Sequence, residues 1–244
     1  MSKRIYVVCG LAVFLNAPLS AAEPIRTMTF DAIPLDEPIL FRVRDVQLRI
    51  PAGYLAPWPR PAMRGEVNER KKIDFNFWMP QRRYVEIDEA SLAGFRPREK
   101  GRTPPGPGEY VVKVQDLQLL KPDEIDVYRS PDKRFETYTS RVGHASFSFK
   151  EEDHGLVRFW RHDWPYPQPE PFLRYRSKDG ADIKIILRCT APHLSTPGKT
   201  CDGPVYLEKE ELSFRIFFAG EDLSKWRENV LAVRHLFRSW EVTP

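Results

Sequence analysis

Hydrophobic and polar residues alternate along much of the chain, and this period of two predicts β-strands. In residues 40–51, Val46, Leu48 and Ile50 alternate with polar residues, which favours one half-buried strand that ends at Pro51. Further strands are predicted at residues 72–79, 110–119, 145–149, 156–161, 172–176, 182–188 and 211–218. The segments 145–149 and 156–161 flank a hairpin turn at residues 153–155, and residues 183–187 are rich in β-branched side chains. The chain is therefore predicted to be rich in β-sheet.

The last part of the chain predicts one long helix. Its apolar residues recur at spacings of mostly three and four, as on a helix face that packs against a core. These residues are Leu223, Trp226, Val230, Val233, Leu236 and Phe237, with Asp222 as the predicted N-cap. Many strands followed by a terminal helix indicate an α+β fold with a mainly antiparallel sheet and this helix packed on it.

Proline is frequent, with 23 residues, and it clusters in segments that predict long loops. Residues 96–108 form the best linker candidate, at which the chain would divide if it had two lobes. Neither half shows a complete core pattern, so we predict a single α+β domain over residues 23–244 and keep the two-lobe division near 96–108 as the alternative.

The N-terminus has the three parts of a secretory signal peptide. Lys3 and Arg4 precede an apolar stretch over residues 5–15, and small residues end at Ala22. About 11 apolar residues are too few to span a bilayer, and Cys9 lies inside the apolar stretch instead of at a lipoprotein cleavage point. We predict cleavage after residue 22 and a periplasmic location.

Removal of residues 1–22 leaves a chain with a small net positive charge. The full chain has a net charge of +4, and Lys3 and Arg4 account for two of these charges. A net charge of about +2 argues against nucleic-acid binding. No other apolar run approaches the ~18 residues of a membrane helix, so no membrane span is predicted.

Two cysteines, Cys189 and Cys201, remain after cleavage. In an oxidising compartment such a pair is predicted to form a disulfide, worth ~2–3 kcal/mol by loop closure. A zinc site is the alternative, but its ligand spacing is absent and only His193 lies between the cysteines. The disulfide is therefore preferred.

The chain lacks the common catalytic motifs. There is no Gly-x-Ser-x-Gly elbow, and no glycine pattern of a nucleotide-binding loop. Residues 151–154, Glu-Glu-Asp-His, together with His162 and Asp163, have the donor types for a metal or for acid–base chemistry. Hairpin-tip chemistry is the simpler interpretation of the same residues. No catalytic residue, metal or cofactor is assigned, and the chain is predicted not to be an enzyme.

Two groups of residues suggest protein binding. Trp164 and Tyr166 lie between prolines, close to Arg161, and Trp, Tyr and Arg are the residue types that dominate protein interfaces. Arg82 and Arg83 form a basic surface that would steer an acidic partner toward the protein. We predict that these five residues contact a protein partner. The alternatives are a solvated loop face for Arg82 and Arg83 and packing against the core for Trp164 and Tyr166.

The C-terminal third resembles a known family. The two cysteines precede a strand over residues 212–218, and the helix closes with residues 236–240, Leu-Phe-Arg-Ser-Trp. Together with residues 50–54, Ile-Pro-Ala-Gly-Tyr, this resembles the periplasmic immunity proteins of type VI secretion effectors, including lipase effectors. The Ile-Pro-x-Gly opening and the terminal helix also look like the PsbP-like α/β/α sandwich. The resemblance covers residues 41–54 and 183–240.

The immunity-protein resemblance implies a non-catalytic periplasmic inhibitor. It would bind and occlude a secreted antibacterial toxin, for which a phospholipase is one candidate. The alternative is a periplasmic PsbP-like accessory or ligand-binding domain, which a sizeable apolar pocket between sheet and helix would favour. A hydrolase built around His154 and His162 is the third hypothesis.

Overall fold

A computed structural model describes most of the chain after the predicted signal peptide. The described residues are 33–55, 65–85, 94–97, 105–126, 128–141, 143, 146–152, 154–163, 169–194 and 199–242. The predicted signal peptide, residues 1–22, lies outside these ranges.

The described residues form strands and two helices. The strands are β1 Pro38–Val43, β2 Val46–Pro51, β3 Asn68–Glu69, β4 Ile73–Met79, β5 Tyr110–Leu119, β6 Phe147–Glu151, β7 Leu156–Arg161, β8 Phe172–Ser177, β9 Ile183–Thr190, β10 Thr200–Leu207 and β11 Leu212–Ala219. The α-helices are α1 Pro131–Ser140 and α2 Trp226–Trp240.

One large sheet carries the fold. Its eight strands lie in the order β4-β5-β11-β10-β9-β8-β7-β6, and all neighbours run antiparallel. A small sheet has the order β2-β1-β3. The α+β prediction, with a mainly antiparallel sheet and a long C-terminal helix, is confirmed.

Helix α2 closes the main core. Trp226 and Val230 are both 0% exposed and share one apolar cluster with the large and small sheets. The ring of Trp240 lies 5.0 Å from that of Phe75 in β4. The apolar stripe predicted from the sequence is therefore the buried face of α2.

Helix α1 lies on the opposite face of the large sheet. Successive side chains of a strand point to opposite faces, and in β9 Ile185 and Leu187 belong to the α2 cluster. Ile186 instead packs with Phe135 and Tyr138 of α1. We call these two sides of the sheet the α2 face and the α1 face.

Several sequence predictions need correction. Residues 40–51 form the hairpin β1–β2, because the chain turns at Arg44, whose φ is 57°. Asp222 does not cap α2; it lies in the preceding 3-10 turn, where its carboxylate accepts hydrogen bonds from Arg96 and Lys225. Strand β10 and helix α1 were not predicted.

Strands β4 and β5 flank the predicted linker at residues 96–108 and pair directly with each other. Arg96, inside that segment, donates to the carbonyl of Pro107 at 2.8 Å and forms an ion pair with Asp222 at 3.4 Å. The single-domain organisation of residues 23–244 stays a prediction.

Candidate functional site

A charged row crosses the α1 face of the large sheet. In register, Arg174 of β8 lies opposite Arg188 of β9, and Arg188 lies opposite Asp202 of β10. Phe159 of β7 and Phe217 of β11 lie on either side of these three residues. Because cross-strand neighbours lie about 5 Å apart, the pairing alone brings two arginines and a carboxylate together.

Helix α1 covers part of this row and leaves a cleft. The cleft has a volume of about 200 Å³ and is lined by Arg134, Tyr138, Arg174, Ile186, Leu187, Arg188 and Asp202. Arg215 of β11 joins it through an ion pair with Asp202. We call this cavity and its four arginines the arginine cleft.

Asp202 organises the cleft. Its carboxylate is 8% exposed and accepts from Arg188 Nη2 at 3.2 Å and from Arg215 Nη2. The next residue, Gly203, allows the backbones of β9 and β10 to approach each other closely. A Cβ at this position would lie 1.8 Å from the carbonyl oxygen of Ile186. Glycine inside a strand often marks such an approach of a second backbone.

Aromatic rings hold three of the guanidinium groups. Arg174 lies 4.5 Å from the ring centre of Tyr138, Arg188 lies 4.7 Å from that of Phe172, and Arg215 lies 4.8 Å from that of Phe217. A guanidinium stacked on a ring is stabilised by the ring quadrupole and restricted in its rotamers. These contacts fix the orientation of the three guanidinium groups within the protein itself.

Positive charge is in excess in the cleft. Four guanidiniums face two carboxylates, Asp202 and Glu170, the second of which pairs with Arg174. Burial lowers the pKa of Arg134 and of Arg174, and nearby Arg215 and Arg188 lower that of Arg134 further. Arginine nevertheless stays protonated in proteins, so the cleft keeps its positive charge.

Arg134 is the cation that is least compensated. Among the residues that the structure describes, its guanidinium makes no hydrogen bond or ion pair, although Asp202 acts on it through space. Arg134 is half-buried, and a partly desolvated cation without a direct partner is less favourable in the free protein than a paired one. Such a group is a natural receptor for an anion.

The disulfide lies directly beneath the cleft. Cys189 and Cys201 are bonded, as predicted, and face each other across β9 and β10 with their Cα atoms 4.0 Å apart. They are the chain neighbours of Arg188 and Asp202, but their side chains point to the α2 face. The bond therefore joins the two strands at the residues that carry the central ion pair.

The predicted aromatic segment is only partly described. Arg161 ends β7 and pairs with Asp163, with Nε 2.6 Å from Oδ1. Trp164 and Tyr166 lie outside the described residues. The described chain resumes before Glu170, whose carboxylate contacts both Arg174 and the hydroxyl of Tyr138. The segment that carries the two aromatic residues is thus followed directly by a wall of the arginine cleft.

Arg82 and Arg83 lie beside the opposite edge of the sheet. The Arg83 guanidinium is 5.0 Å from the ring centre of Trp78 in β4, and the carbonyl of Arg82 accepts from the Tyr54 hydroxyl at 2.7 Å. Five strands separate β4 from β7, which ends in Arg161. The structure does not bring these two arginines together with Arg161.

Two of the carboxylates considered for metal or acid–base chemistry form ion pairs: Glu151 with Lys178 at 2.6 Å and Asp163 with Arg161 at 2.6 Å. The backbone carbonyl of His154 accepts from Trp226 Nε1 at 2.9 Å, and the imidazole Nε2 of His154 is buried without a hydrogen-bond partner among the described residues. Within the ranges given above, no group of three or more His, Cys, Asp and Glu side chains is arranged to hold a metal ion. Over the same ranges, no helix has the length and apolar character needed to cross a membrane.

None of the residues that line the cleft was predicted from the sequence as a site residue. Arg134 and Tyr138 belong to the unpredicted helix α1, whose start was nevertheless signalled by Ser130 and Pro131. The Ser130 hydroxyl caps the helix by accepting from the backbone N–H of Lys133, and proline is favoured at the first helical position. The strand arginines were visible only as polar positions in an alternating pattern.

Comparisons with known proteins identify the fold. No protein-family model matches the chain, and no curated protein matches it in sequence. The structure resembles Smlt3025, an immunity protein of the Stenotrophomonas maltophilia type IV secretion system, with a TM-score of 0.55 and 15% identity over 85% of this chain and 94% of that one. FrpD, an iron-regulated outer membrane lipoprotein of Neisseria meningitidis, is less similar, with a TM-score of 0.45 and 12% identity over 84% and 93% of the two chains. The chain therefore shares its fold with a secretion-system immunity protein.

Proposed function

We propose that this chain is a non-catalytic immunity protein that binds a secreted antibacterial toxin and occludes its active site. The observation that carries the proposal is the likeness to Smlt3025, which spans 85% of this chain and 94% of that immunity protein. The likeness extends over nearly the whole of both chains instead of one shared motif. It agrees with the immunity-protein resemblance noted at the two ends of the sequence.

The proposed site of action is the periplasm. Residues 1–22 are proposed to direct export, and the bond between Cys189 and Cys201 supports this location because structural disulfides persist in oxidising compartments. The toxin is proposed to be a type VI effector that attacks the cell envelope, with a phospholipase as the first candidate. Occlusion needs no chemistry from this chain, only a rigid surface that fits the toxin.

The arginine cleft does not have the properties expected for the alternative function, a PsbP-like ligand-binding domain. An apolar ligand would need an apolar pocket, and pockets for such molecules usually measure about 300–1,000 Å³. The arginine cleft measures about 200 Å³ and is lined largely by charged side chains. It lies on the α1 face, away from the interface between the sheet and α2. Its chemistry suits an acidic side chain.

The proposal is tested by co-expression with a candidate toxin, and a secreted effector whose gene adjoins that of this chain would be the first choice. The toxin is directed to the periplasm of a sensitive bacterial host, with or without the full-length immunity chain. We expect growth to be restored and the two proteins to co-elute after extraction. Residues 23–244 expressed without the leader form the control, and this cytoplasmic version should not protect. A wild-type chain that neither protects nor co-elutes would refute the proposed function.

A further inference from the structure

We propose that the arginine cleft is the receptor for a carboxylate side chain, Asp or Glu, presented by the toxin. This inference rests on the proposed function and deepens it, because it names the contact surface and the chemistry of the partner. The surface differs from the residues that the sequence pattern suggested, Arg82 and Arg83 at the far edge of the sheet. It lies instead at the centre of the α1 face.

Two arginines of like charge meet in the sheet at the cleft. Arg174 and Arg188 occupy directly opposite positions on β8 and β9, and like charges at such positions destabilise a sheet. Glu170 and Asp202 offset this repulsion only in part, since Arg134 and Arg215 add two further cations. A third carboxylate would bring the cleft closer to neutrality.

Arg134 lies where an incoming carboxylate would reach it. Its guanidinium projects from α1 over the sheet, close enough to Arg188, Asp202 and Arg215 to interact with each of them through space. In the described part of the chain it has no direct hydrogen-bond or ion-pair partner. An incoming carboxylate would supply the hydrogen bonds that this group lacks, and guanidinium–carboxylate pairs are strong because both groups are charged and planar.

The guanidinium groups of the cleft are held in place before a partner binds. Stacking on Tyr138, Phe172 and Phe217 holds the guanidiniums of Arg174, Arg188 and Arg215, and the disulfide joins β9 and β10 beneath them. Little side-chain freedom remains to be lost on binding, so more of the interaction energy appears as affinity. Arginine surrounded by aromatic rings is also a typical composition for the anchor region of a protein interface.

The size of the cleft favours a side chain as its occupant. A volume of about 200 Å³ admits one or two acidic side chains, which is less than the space needed for most organic ligands. Arg188 is 45% exposed at its mouth, so the charged groups are reachable from outside. Free phosphate has similar charge chemistry, and the experiment below separates the two.

The test uses the full-length chain, matured by export, and the candidate toxin. Arg134→Gln removes the uncompensated cation, and Arg134→Glu replaces it with an internal carboxylate that occupies the cleft. Arg49→Gln is the matched control, because Arg49 is exposed on β2 of the small sheet, away from the cleft. Affinities are measured by titration calorimetry at low and at high salt.

We expect Arg134→Gln to weaken toxin binding by at least about 10-fold and Arg134→Glu by at least about 100-fold. Arg49→Gln should stay within about twofold of wild type, and salt should weaken wild-type binding more than that of Arg134→Gln. The thermal midpoint of both Arg134 variants should equal or exceed that of wild type, because the repulsion is relieved. Lower affinity with unchanged or higher stability separates a binding role from a structural one.

Three results would count against the inference. If wild type does not bind the toxin, the proposed function fails and the inference fails with it. If wild type binds and Arg134→Glu binds as tightly as Arg49→Gln, the proposed function stands and the cleft assignment is wrong. If inorganic phosphate raises the thermal midpoint of wild type but not of Arg134→Gln, and toxin affinity is the same for both, the cleft is an anion site and not the toxin contact.

A charge-swap experiment adds independent support. Each surface Asp and Glu of the toxin is changed in turn to Lys and tested against Arg134→Glu. One such change should restore at least about 10-fold of the lost affinity, because it recreates an opposite-charge pair across the interface. If no acidic position of the toxin shows this coupling, the carboxylate contact is refuted.

Discussion

Arg174 and Arg188 lie directly opposite each other on neighbouring strands of the large sheet and point to the same face. Two cations in this relationship repel each other, and the surrounding residues only moderate the repulsion. Glu170 pairs with Arg174, Asp202 pairs with Arg188, and aromatic rings lie against both guanidiniums. Local rules for sheet stability are broken most often at functional sites, and this is one reason why we propose this face for partner binding.

Loss of the buried carboxylate at Asp202 should destabilise the fold. Asp202→Asn removes the charge that bridges Arg188 and Arg215, and we expect a loss of about 1.5–3 kcal/mol in the free energy of unfolding. Asp179→Asn is the matched control, since Asp179 also pairs with an arginine but is 87% exposed. That change should cost under about 0.5 kcal/mol. Urea denaturation of both variants gives the comparison, and equal costs would contradict the bridging role.

Truncation of a buried side chain of α2 should lower the free energy of unfolding far more than truncation of an exposed side chain of the same helix. Trp226 is 0% exposed, whereas Leu231 on the same helix is 41% exposed. Trp226→Ala should lower the free energy of unfolding by about 3–5 kcal/mol, because it leaves a cavity in the main core. Leu231→Ala should change it by less than about 0.5 kcal/mol. A small effect of Trp226→Ala in guanidinium denaturation would show that the helix is not a core element.

The disulfide should contribute measurably to stability. The bond closes a loop with a sequence separation of 12 residues, which corresponds to about 3 kcal/mol in the chain-entropy model. We expect the double variant Cys189→Ser, Cys201→Ser to lose approximately this amount in denaturant titrations. Alkylation followed by intact-mass measurement should detect no free thiol in the exported wild type. Two reactive thiols would overturn the disulfide assignment.

Stability should fall at alkaline pH, partly through Tyr110. Its hydroxyl donates to Asn229 Oδ1 at 2.8 Å inside the core, and burial, together with the charges of Asp222 and Glu228, raises its pKa above the usual value of 10. Above pH 10 the unfolded chain loses the tyrosine proton while the folded protein retains it. The free energy of unfolding therefore decreases with pH, by up to about 1.4 kcal/mol per pH unit for this group.

The Tyr110→Phe variant tests this assignment. Its stability should be lower than that of wild type at pH 8, because the buried hydrogen bond to Asn229 is lost. Between pH 9.5 and about 11 its stability should decline less steeply than that of wild type. Tyr128→Phe serves as the control, since Tyr128 is 78% exposed, and it should show the wild-type slope. Parallel slopes for Tyr110→Phe and wild type would refute the assignment.

The aromatic segment predicted from the sequence remains a second candidate contact. If Trp164 and Tyr166 are binding anchors, Trp164→Ala or Tyr166→Ala should lower toxin affinity by at least about 2 kcal/mol. Arg82→Gln with Arg83→Gln should instead slow association, and the effect should fade as salt is added. Wild-type affinity in both aromatic variants, with normal circular dichroism, would remove this segment from the interface.

Local patterns were sufficient for most of the strands and for α2. Residues 73–77, Ile-Asp-Phe-Asn-Phe, have a strand's alternation, and the structure places β4 over Ile73–Met79. The stripe containing Trp226 likewise has the spacing of one buried helix face. These predictions succeeded because the period of a side-chain pattern follows directly from the geometry of the element.

Local sequence patterns did not predict the elements in which residues adopt conformations that they do not usually favour. Residues 40–51 look like one strand because the alternation continues on both sides of Arg44, whose left-handed conformation makes the turn. Strand β10 contains Asp202, Gly203 and Pro204, all poor strand formers, and it is held in place by pairing with β9 and β11. In these segments tertiary pairing overrides local preference.

By itself, the sequence determined the α+β class, the C-terminal helix and the pairing of Cys189 with Cys201, since each follows from periodicity or from the number of cysteines. Only the tertiary structure decided where the arginines meet. Arg134, Arg174, Arg188 and Arg215 are spread over 82 positions of the chain, and each is unremarkable in its own segment. Strand register and the placement of α1 bring them around Asp202. Because register depends on long-range pairing and not on local composition, no single segment of the sequence could reveal the cleft.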